Sequence, residues 1–361
     1  MKAAVLTEIP GKLQIQDIQI DKPGPREVLI KTVAAGLCHS DLHFMEGKYP
    51  YFLPTVLGHE SAGVVEAVGD QVTYVQPGDH VVTYLSVFCG ECNNCLKGRP
   101  TLCLNQESVA RAPTDTPRLS QNGSPVFQFL NLSSFAEQML VHEHAVVKID
   151  PEFPLETAAI LGCGVSTGLG AAIQTAAVRP GDTVAVIGLG GVGISALQGA
   201  RIAGADRIIA VDTLPEKLEL AKQLGATDVV NASEGDSVTN VQAISPGGVD
   251  HAIEAIGLKA TAEQAFRMLR PGGTATIIGM VPFGTMIEIG AFELLSERKI
   301  QGCIMGSRNF REAIPSYIEL YKQGRLKLDE LLSAQITLDD VNESFDKLSR
   351  GEVMRSVITF S

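Results

Sequence analysis

Residues 183–193 read TVAVIGLGGVG, and this stretch decides the fold. It opens with β-branched and small apolar residues, which predict a buried strand, and the glycines after them open a predicted helix over Gly191–Ala203. Glycines in the spacing Gly-x-Gly-x-x-Gly permit a tight turn and let the backbone approach a pyrophosphate at the helix N-terminus. The sequence therefore predicts a dinucleotide-binding turn made of Gly188, Gly190, Gly191, Val192 and Gly193.

The residue that follows the next predicted strand indicates which dinucleotide binds. Asp212 comes directly after the apolar run 207–211, about 20 residues beyond the last glycine, where a carboxylate hydrogen-bonds the ribose hydroxyls of NAD. The same carboxylate would repel the 2′-phosphate of NADP, and neither position 213 nor position 214 holds an arginine to receive that phosphate. We therefore predict NAD rather than NADP.

From about residue 180 onward, strand-like and helix-like segments alternate. Pro215–Leu224 has a proline at a tolerated first-turn position and is predicted to be a helix. Such alternation predicts a parallel sheet covered by helices on both faces, the doubly wound Rossmann arrangement of the α/β class. The further predicted strands are 249–255, 274–279 and 299–303.

The N-terminal part of the chain is instead β-rich up to about residue 160. Residues 91–131 show little periodicity and include a polar loop around 112–117. Near the C-terminus a helix-like run, 311–323, leads to a last strand, 356–360, which is expected to return to the first domain. Glycines and prolines separate the strand-like runs of the N-terminal part, for example 28–33, 61–68 and 80–84.

A chain of 361 residues suggests two domains. We predict a β-rich catalytic domain over residues 1–164 and 304–361, with a cysteine lobe at 86–104. The nucleotide-binding domain is predicted over residues 165–303.

Composition excludes several classes of partner. The net charge is −12, and the chain has no run of Lys or Arg, which argues against binding to nucleic acid or to an anionic membrane. No apolar stretch reaches the roughly 18 residues of a membrane span, and the N-terminal segment is expected to form strands rather than a signal peptide. Because the seven cysteines have metal-type spacing, we expect a reducing, cytoplasmic location.

Four of the cysteines form a compact set with the spacing C-x2-C-x2-C-x7-C. Four thiolates in one short loop can surround zinc tetrahedrally and leave no open position, which is typical of a structural site. Cys303, by contrast, lies in an apolar strand and is expected to be a core residue. The predicted structural ligands are Cys89, Cys92, Cys95 and Cys103.

A second metal site is predicted from residues far apart in the sequence. Cys38 and Cys163 flank His59, which lies in the run Gly58-His59-Glu60. Two thiolates and one imidazole leave the fourth position of zinc open for water or an alcohol, which is the pattern of a catalytic site. A catalytic zinc together with a nicotinamide site predicts hydride transfer from an alcohol.

Together these motifs make the chain closely resemble the zinc-dependent medium-chain alcohol dehydrogenases over nearly its full length. The family signature G-H-E-x2-G-x5-G-x2-V runs from Gly58 to Val72. The loop after Cys103 and the segment 351–360 are similar to the animal-type classes, which include the glutathione-dependent formaldehyde dehydrogenases. The resemblance implies a GroES-like catalytic domain, two zinc ions per subunit, NAD as cofactor and a homodimer, with a tetramer as the alternative.

The resemblance also implies roles for single residues. Cys38, His59 and Cys163 would hold the catalytic zinc, Asp41 would orient the zinc-bound imidazole, and Glu60 would approach the zinc during ligand exchange. In the proton relay, Ser40 would pass the proton through the cofactor ribose to His43, whose pKa lies near neutrality. The implied cofactor contacts beyond the turn and Asp212 are Lys217 at the adenosine ribose and Arg355 at the pyrophosphate.

Three positions depart from the patterns of these relatives. His39 stands where many relatives carry an arginine against the pyrophosphate, so NADH is expected to bind more weakly and to bind tighter as the pH falls. Glu107 and Tyr49 replace an arginine and an acidic residue of the glutathione-dependent class. Because an acid facing the carboxylate of the glutathione adduct repels it, we expect S-hydroxymethylglutathione to be a poor substrate.

The aligned substrate pocket would be mostly apolar and fairly large, which favours medium-chain, allylic or aromatic primary alcohols over ethanol. Three alternatives stay open: a formaldehyde dehydrogenase for another thiol adduct, a polyol dehydrogenase, and a non-catalytic cofactor-binding protein. The apolar run 277–282 and the strand 299–303 could form subunit contacts. The residues expected to line the pocket are Tyr49, Leu85, Phe129, Leu130, Met280 and Ile304.

Overall fold

A computed structural model describes residues 1–112 and 114–360. Pro113, in the predicted polar loop, and Ser361, at the end of the predicted catalytic domain, lie outside the described residues. The chain divides into two compact units: unit one is Met1–Cys163 with Asn309–Glu319 and the segment from Leu328 onward, and unit two is Gly164–Arg308 with Leu320–Lys327. This division places residues 304–308 and Leu320–Lys327 in unit two, whereas the sequence assigned them to the catalytic domain. The predicted domain limits remain a prediction.

Unit one begins with short strands joined by turns and a few helical segments. Its first strands are β1 (Lys2–Leu6), β2 (Leu13–Asp17), β3 (Gln19–Ile20), β4 (Glu27–Gly36), β5 (Thr55–Val56), β6 (Ser61–Val68), β7 (His80–Thr83), β8 (Leu119–Gln121), β9 (Ser124–Gln128), β10 (Gln138–His142) and β11 (Val146–Lys148). The helices among them are α1 (His39–Met45), α2 (Asn93–Leu96) and α3 (Leu155–Ala159).

Unit two alternates helices and strands. Its helices are α4 (Gly164–Gly170), α5 (Gly191–Ala203), α6 (Pro215–Leu224), α7 (Ser237–Ile244) and α8 (Lys259–Arg267). Its strands are β12 (Thr183–Ile187), β13 (Arg207–Asp212), β14 (Asp228–Asn231), β15 (Val249–Glu254), β16 (Leu269–Ile277) and β17 (Lys299–Gly302). The C-terminal part of the chain adds α9 (Phe310–Lys322), β18 (Leu332–Ile336), α10 (Val341–Ser349) and β19 (Arg355–Thr359).

Strand β4 organises the larger sheet of unit one, which has the order β11-β7-β6-β4-β19-β18, with β10 also paired to β4. The side chains of β4 that point inward, Val28 and Ile30 among them, pack against Val65 and Val81 of the neighbouring strands. Val357 of β19 pairs with Gly36 of β4, so the C-terminal strand returns to the sheet that the N-terminal part begins, as expected. The other sheet has the order β2-β1-β5-β9-β8-β3.

The sheet of unit two has the order β14-β13-β12-β15-β16-β17, and all neighbouring strands in it are parallel. Val184, Ala185 and Val186 of its central strand are fully buried, as a sheet covered on both faces requires. This is the doubly wound order, so the predicted α/β Rossmann fold is confirmed. The strand order reverses between β12 and β15, and in open sheets of this kind ligands bind at such a point, outside the carboxyl ends of the strands.

The prediction and the structure differ mainly in the second half of unit two. β14, α7 and α8 were not predicted. β16 begins at Leu269 rather than at 274, because a bulge opposite Val249 lets the strand continue through the Pro271-Gly272-Gly273 run.

Within the described ranges, no single helix is long and apolar enough to cross a membrane. The consecutive stretches Leu155–Gly162 and Gly164–Thr175 reach the required length and hydropathy only as a bent pair.

Candidate active site and zinc sites

The predicted catalytic ligands come together inside unit one. Cys38 lies between β4 and α1, His59 lies two residues before β6 begins, and Cys163 follows α3. These three side chains and Glu60 are buried, and one ligand atom from each lies within 4.8 Å of the others. The sequence placed these residues up to 125 positions apart, and the fold makes them neighbours.

Asp41 connects the ligands to each other. Its Oδ1 atom lies 3.0 Å from Nδ1 of His59 and also accepts the N–H of Gly58 at 3.1 Å, while Oδ2 accepts the N–H of Cys38 at 3.3 Å. Burial opposes a charge on His59, but the Asp41 carboxylate raises the pKa of His59 well above its ordinary value. Because Nδ1 faces Asp41, Nε2 is the ring nitrogen left for a metal.

Arg355 contributes positive charge beside the same cluster. Its guanidinium lies 3.6 Å from Oε2 of Glu60 and donates to the carbonyl of Leu37 at 2.9 Å, and the side chain is buried. Hydrogen bonding from Cys163 lowers the pKa of the Cys38 thiol against the effect of burial, and the charge of Arg355 lowers it further. Two sulfurs, one of them stabilised as a thiolate, and one oriented imidazole fit zinc, and the Glu60 carboxylate lies within reach of the same position.

The predicted relay residues lie on α1 beside the metal ligands. The Ser40 hydroxyl lies 3.6 Å from the sulfur of Cys38. His43 follows one helical turn later, and the ring of Tyr49 is stacked at 6.3 Å from its ring. Burial lowers the pKa of His43. Its Nδ1 atom is buried and has no hydrogen-bond partner among the described residues, and its part in a proton relay stays a prediction.

An aromatic cluster covers one side of the metal ligands. The ring of Phe129 is fully buried, lies 6.0 Å from the ring of His59, and packs edge-on against Phe44 at 4.8 Å and Tyr51 at 5.0 Å. Tyr51 donates to the carbonyl of Gln128 and accepts the N–H of Leu130, both at 3.0 Å, and Leu130 has a positive φ of 46°. Tyr51 thus fixes the turn that presents Phe129 and Leu130.

Sequence reasoning missed Phe44 and Tyr51. The only local signal was the density of aromatic residues in Tyr49-Pro50-Tyr51-Phe52. Of the other predicted pocket residues, Tyr49 packs on Phe44 at 5.5 Å. Leu85 packs against a buried cluster of unit one.

Two predicted pocket residues lie in unit two, where Met280 is half-buried and Ile304 is 48% exposed. Their role in a pocket stays a prediction.

The four-cysteine lobe is also assembled as predicted. Cys92 lies 3.4 Å from Cys95 and 4.0 Å from Cys103, sulfur to sulfur, and all four sulfurs lie within 4.8 Å of one another. The N–H of Leu104 lowers the pKa of Cys92 to about 6, whereas burial raises the pKa of Cys95 to about 12. Four adjacent thiols cannot all ionise without a cation among them, so the donor set fits a closed zinc site.

The predicted dinucleotide turn connects β12 to α5 in unit two. A side chain at Gly193 would put its Cβ 1.7 Å from the carbonyl of Gly188, so only glycine permits this close approach of helix and strand. Asp212, at the end of β13, accepts the N–H of Leu189 in this turn at 2.7 Å and that of Thr213 at 2.8 Å. The carboxylate therefore lies against the glycine-rich turn itself.

The other predicted cofactor residues are placed as follows. Lys217 is half-buried in the first turn of α6, in unit two. His39 is the first residue of α1 and is exposed, while Arg355 is buried beside Glu60, both in unit one. Their contacts with a cofactor stay predictions.

Comparison with known proteins decides the family. Residues 24–151 match the alcohol dehydrogenase GroES-like domain, and residues 191–322 match the zinc-binding dehydrogenase domain. An S-(hydroxymethyl)glutathione dehydrogenase from Synechocystis sp. is 40% identical over 366 aligned positions, covering 99% of both chains. The chain belongs to the zinc-binding medium-chain alcohol dehydrogenase family.

Solved structures of family members have the same fold. A benzyl alcohol dehydrogenase from Acinetobacter calcoaceticus is 36% identical and superimposes with a TM-score of 0.93, covering 100% of this chain and 99% of that one. A zinc-binding alcohol dehydrogenase domain protein from Burkholderia ambifaria is 38% identical, with a TM-score of 0.94 and coverage of 100% and 98%. The protein is thus a zinc-dependent dehydrogenase, an oxidoreductase acting on CH–OH donors, with a GroES-like domain and two candidate zinc sites.

Proposed function

We propose that this dehydrogenase catalyses the reversible oxidation of a medium-chain, allylic or aromatic primary alcohol to the aldehyde, with NAD as the acceptor. The observation that carries the proposal is the aromatic cluster beside the metal ligands, in which Phe129 lies between His59 and Tyr51. Tyr49 and Tyr51, which pack on Phe44 and are only partly buried, would offer apolar surface beside the metal ligands. Such a surface binds longer and aromatic chains in proportion to the area they bury, and offers ethanol little.

Each of the site residues would have a separate role in this reaction. When bound, zinc supplies a Lewis acid that makes the alcohol more acidic, and NAD supplies the hydride acceptor. Cys38, His59 and Cys163 would hold the zinc, with Asp41 fixing the ring of His59. Ser40 would accept the alcohol proton, and His43 would release it to solvent.

Asp212 supports NAD over NADP within this proposal. Its two oxygens accept the backbone N–H groups of Leu189, Thr213 and Leu214, which hold the carboxylate in a fixed place. A fixed charge there would repel a 2′-phosphate.

A second candidate is the oxidation of S-hydroxymethylglutathione, which the similarity to the Synechocystis S-(hydroxymethyl)glutathione dehydrogenase favours. Glu107 counts against it in this chain. The residue is exposed in the short helical turn Gln106–Val109, where its carboxylate would face the anionic adduct.

The test is the initial rate of NAD reduction with ethanol, hexanol, benzyl alcohol, sorbitol and a formaldehyde–glutathione mixture, on one zinc-replete preparation. We expect the highest kcat/KM for benzyl alcohol or hexanol. Turnover with the thiol mixture alone would overturn the proposal in favour of the second candidate, and Glu107→Arg is the matched variant, because it should raise thiol-adduct turnover without changing that of hexanol.

We also propose a homodimer in a cytoplasmic location. The segment before β17 exposes Phe283, Phe292 and Leu295, at 82%, 83% and 76%, and β17 itself is an edge strand. An exposed apolar segment beside an unpaired strand edge favours pairing with a second copy. Sedimentation of the purified protein at micromolar concentration tests this, and a monomer would contradict it.

A further inference from the structure

Glu254 is a fully buried carboxylate to which the sequence analysis gave no role. It ends β15 in unit two and pairs with Ile187, the residue just before the glycine-rich turn, on one side. On the other side it pairs with Ile277, the last residue of β16. Glu254 therefore lies at the carboxyl edge of the sheet, at the point where the strand order reverses.

The side chain holds the loop that follows β15. Oε1 accepts the N–H of Ile256 at 2.9 Å, the N–H of Gly257 at 2.7 Å and the hydroxyl of Thr261 at 2.7 Å. Three donors on one oxygen fix the loop 255–258 to the end of its own strand. A buried polar side chain is costly unless it is hydrogen-bonded, so these bonds also offset the burial of the Glu254 side chain.

The main chain of Glu254 holds a second loop, the one that follows β16. Its carbonyl accepts the N–H groups of Ile278 and Gly279, at 2.9 Å and 3.1 Å. The two loops cross at glycines: a Cβ on Gly279 would lie 2.1 Å from the nitrogen of Gly257, and a Cβ on Gly257 would lie 2.6 Å from the carbonyl oxygen of Met280. One residue therefore ties together both loops at the binding edge.

The loop that Glu254 holds also contacts the glycine-rich turn. A Cβ on Gly188 would lie 2.3 Å from the side chain of Ile256, so the loop held by Glu254 packs directly on the first glycine of the turn. Two mononucleotide-binding halves meet at this edge, and the half made by β15 and β16 is the one left for the nicotinamide nucleotide.

We infer that Glu254 is a positioning residue for cofactor binding, which fixes the loops 255–258 and 278–281 as the wall against which the nicotinamide half of the dinucleotide lies. The inference rests on the proposed NAD site. Oε2 has no hydrogen-bond partner within the described part of the chain and faces Gly279, so the side chain is held by Oε1 alone. The length of the Glu254 side chain should therefore matter more for NADH binding than its charge.

Two conservative variants separate reach from charge. Glu254→Gln keeps the length and one acceptor oxygen, whereas Glu254→Asp keeps the charge but cannot reach the loop. We expect the NADH dissociation constant, measured by fluorescence titration, to rise about tenfold or more in E254D and about threefold in E254Q, with the KM for NAD rising in parallel. Glu219→Gln, at an exposed position of α6, is the control and should bind NADH as wild type does.

The outcomes are distinct. A wild-type protein that does not bind NADH overturns the proposed function, whereas a normal wild type with NADH binding unchanged in both variants overturns the inference alone. E254D with a lowered melting temperature and wild-type NADH affinity shows a purely structural role and also overturns it. If E254D does not fold, E254Q decides: a rise in dissociation constant at an unchanged melting temperature supports the inference, and no rise rejects it.

Discussion

The Nδ1 atom of His59 and the Oδ1 atom of Asp41 lie 3.0 Å apart, and both side chains are closed to solvent. The same carboxylate accepts the backbone N–H groups of Cys38 and of Gly58, the residue before His59, so one acid orders the backbone at two predicted zinc ligands. Asp41 therefore fixes the ring of His59 and the backbone at Cys38 and Gly58.

Replacing Asp41 by Asn should weaken zinc binding at this site. The variant puts an amide NH2 where a carboxylate oxygen now accepts a backbone N–H, and it removes the charge that makes His59 a better ligand. We expect a fall of about 10- to 100-fold in zinc affinity at the catalytic site, measured by competition with a chelator. The four-cysteine site is the internal control, and equal loss of both zinc ions would show unfolding instead.

The pH dependence of alcohol oxidation should report His43. Burial lowers its pKa, so the neutral form that accepts the relayed proton persists below pH 6.5, and activity is lost only as the pH falls through the lowered value. His43→Gln should reduce kcat by about tenfold or more, and added imidazole should restore part of the rate. An acid limb above pH 6.5 in the wild type, or no rescue of the variant, would argue against the relay.

Loss of the zinc ion in the four-cysteine lobe should be measurable separately from the zinc of the catalytic site. Cys92→Ser removes the thiol stabilised by Leu104, so we expect zinc to fall from two ions per chain to one and the melting temperature to drop. Cys303→Ser is the matched control: its sulfur accepts the hydroxyls of Thr175 and Ser307, and the change should cost less than about 1 kcal/mol of unfolding free energy. Full zinc content in C92S would refute a metal role for that cysteine.

Motifs whose chemistry depends on local spacing could be predicted from the sequence. The glycine-rich turn and the C-x2-C-x2-C-x7-C lobe are such cases, because their residues become neighbours through one turn or one loop. β14 was not predicted, because it is short and only partly buried and so carries little strand signal.

Contacts between distant segments that belong to no recognised motif could not be predicted from the sequence. Tyr51 holds the turn at Leu130 through a hydrogen bond between residues 79 positions apart, and no periodicity encodes such a pair. The role of Glu254 was missed for a different reason. A single acid at the end of an apolar strand looks like a strand terminus, and only the loop geometry shows that its carboxylate is buried and accepts three hydrogen bonds.

Cofactor preference should depend on Asp212 in a way that two variants can separate. The carboxylate accepts the N–H of Leu189 inside the glycine-rich turn as well as those of Thr213 and Leu214. It therefore both supplies a negative charge and holds the turn in place. Asp212→Asn removes the charge and keeps most of the shape, and it should lower the ratio of kcat/KM for NAD over NADP by about tenfold, mainly by admitting NADP.

Asp212→Ala removes the acceptors as well, so NAD binding should weaken in addition to the loss of discrimination. The measurement is kcat/KM for both cofactors at one saturating alcohol concentration, with Glu219→Gln as the surface control. If Asp212→Asn keeps the full wild-type preference for NAD, the discrimination does not come from this charge, and Asp212 serves only to hold the turn.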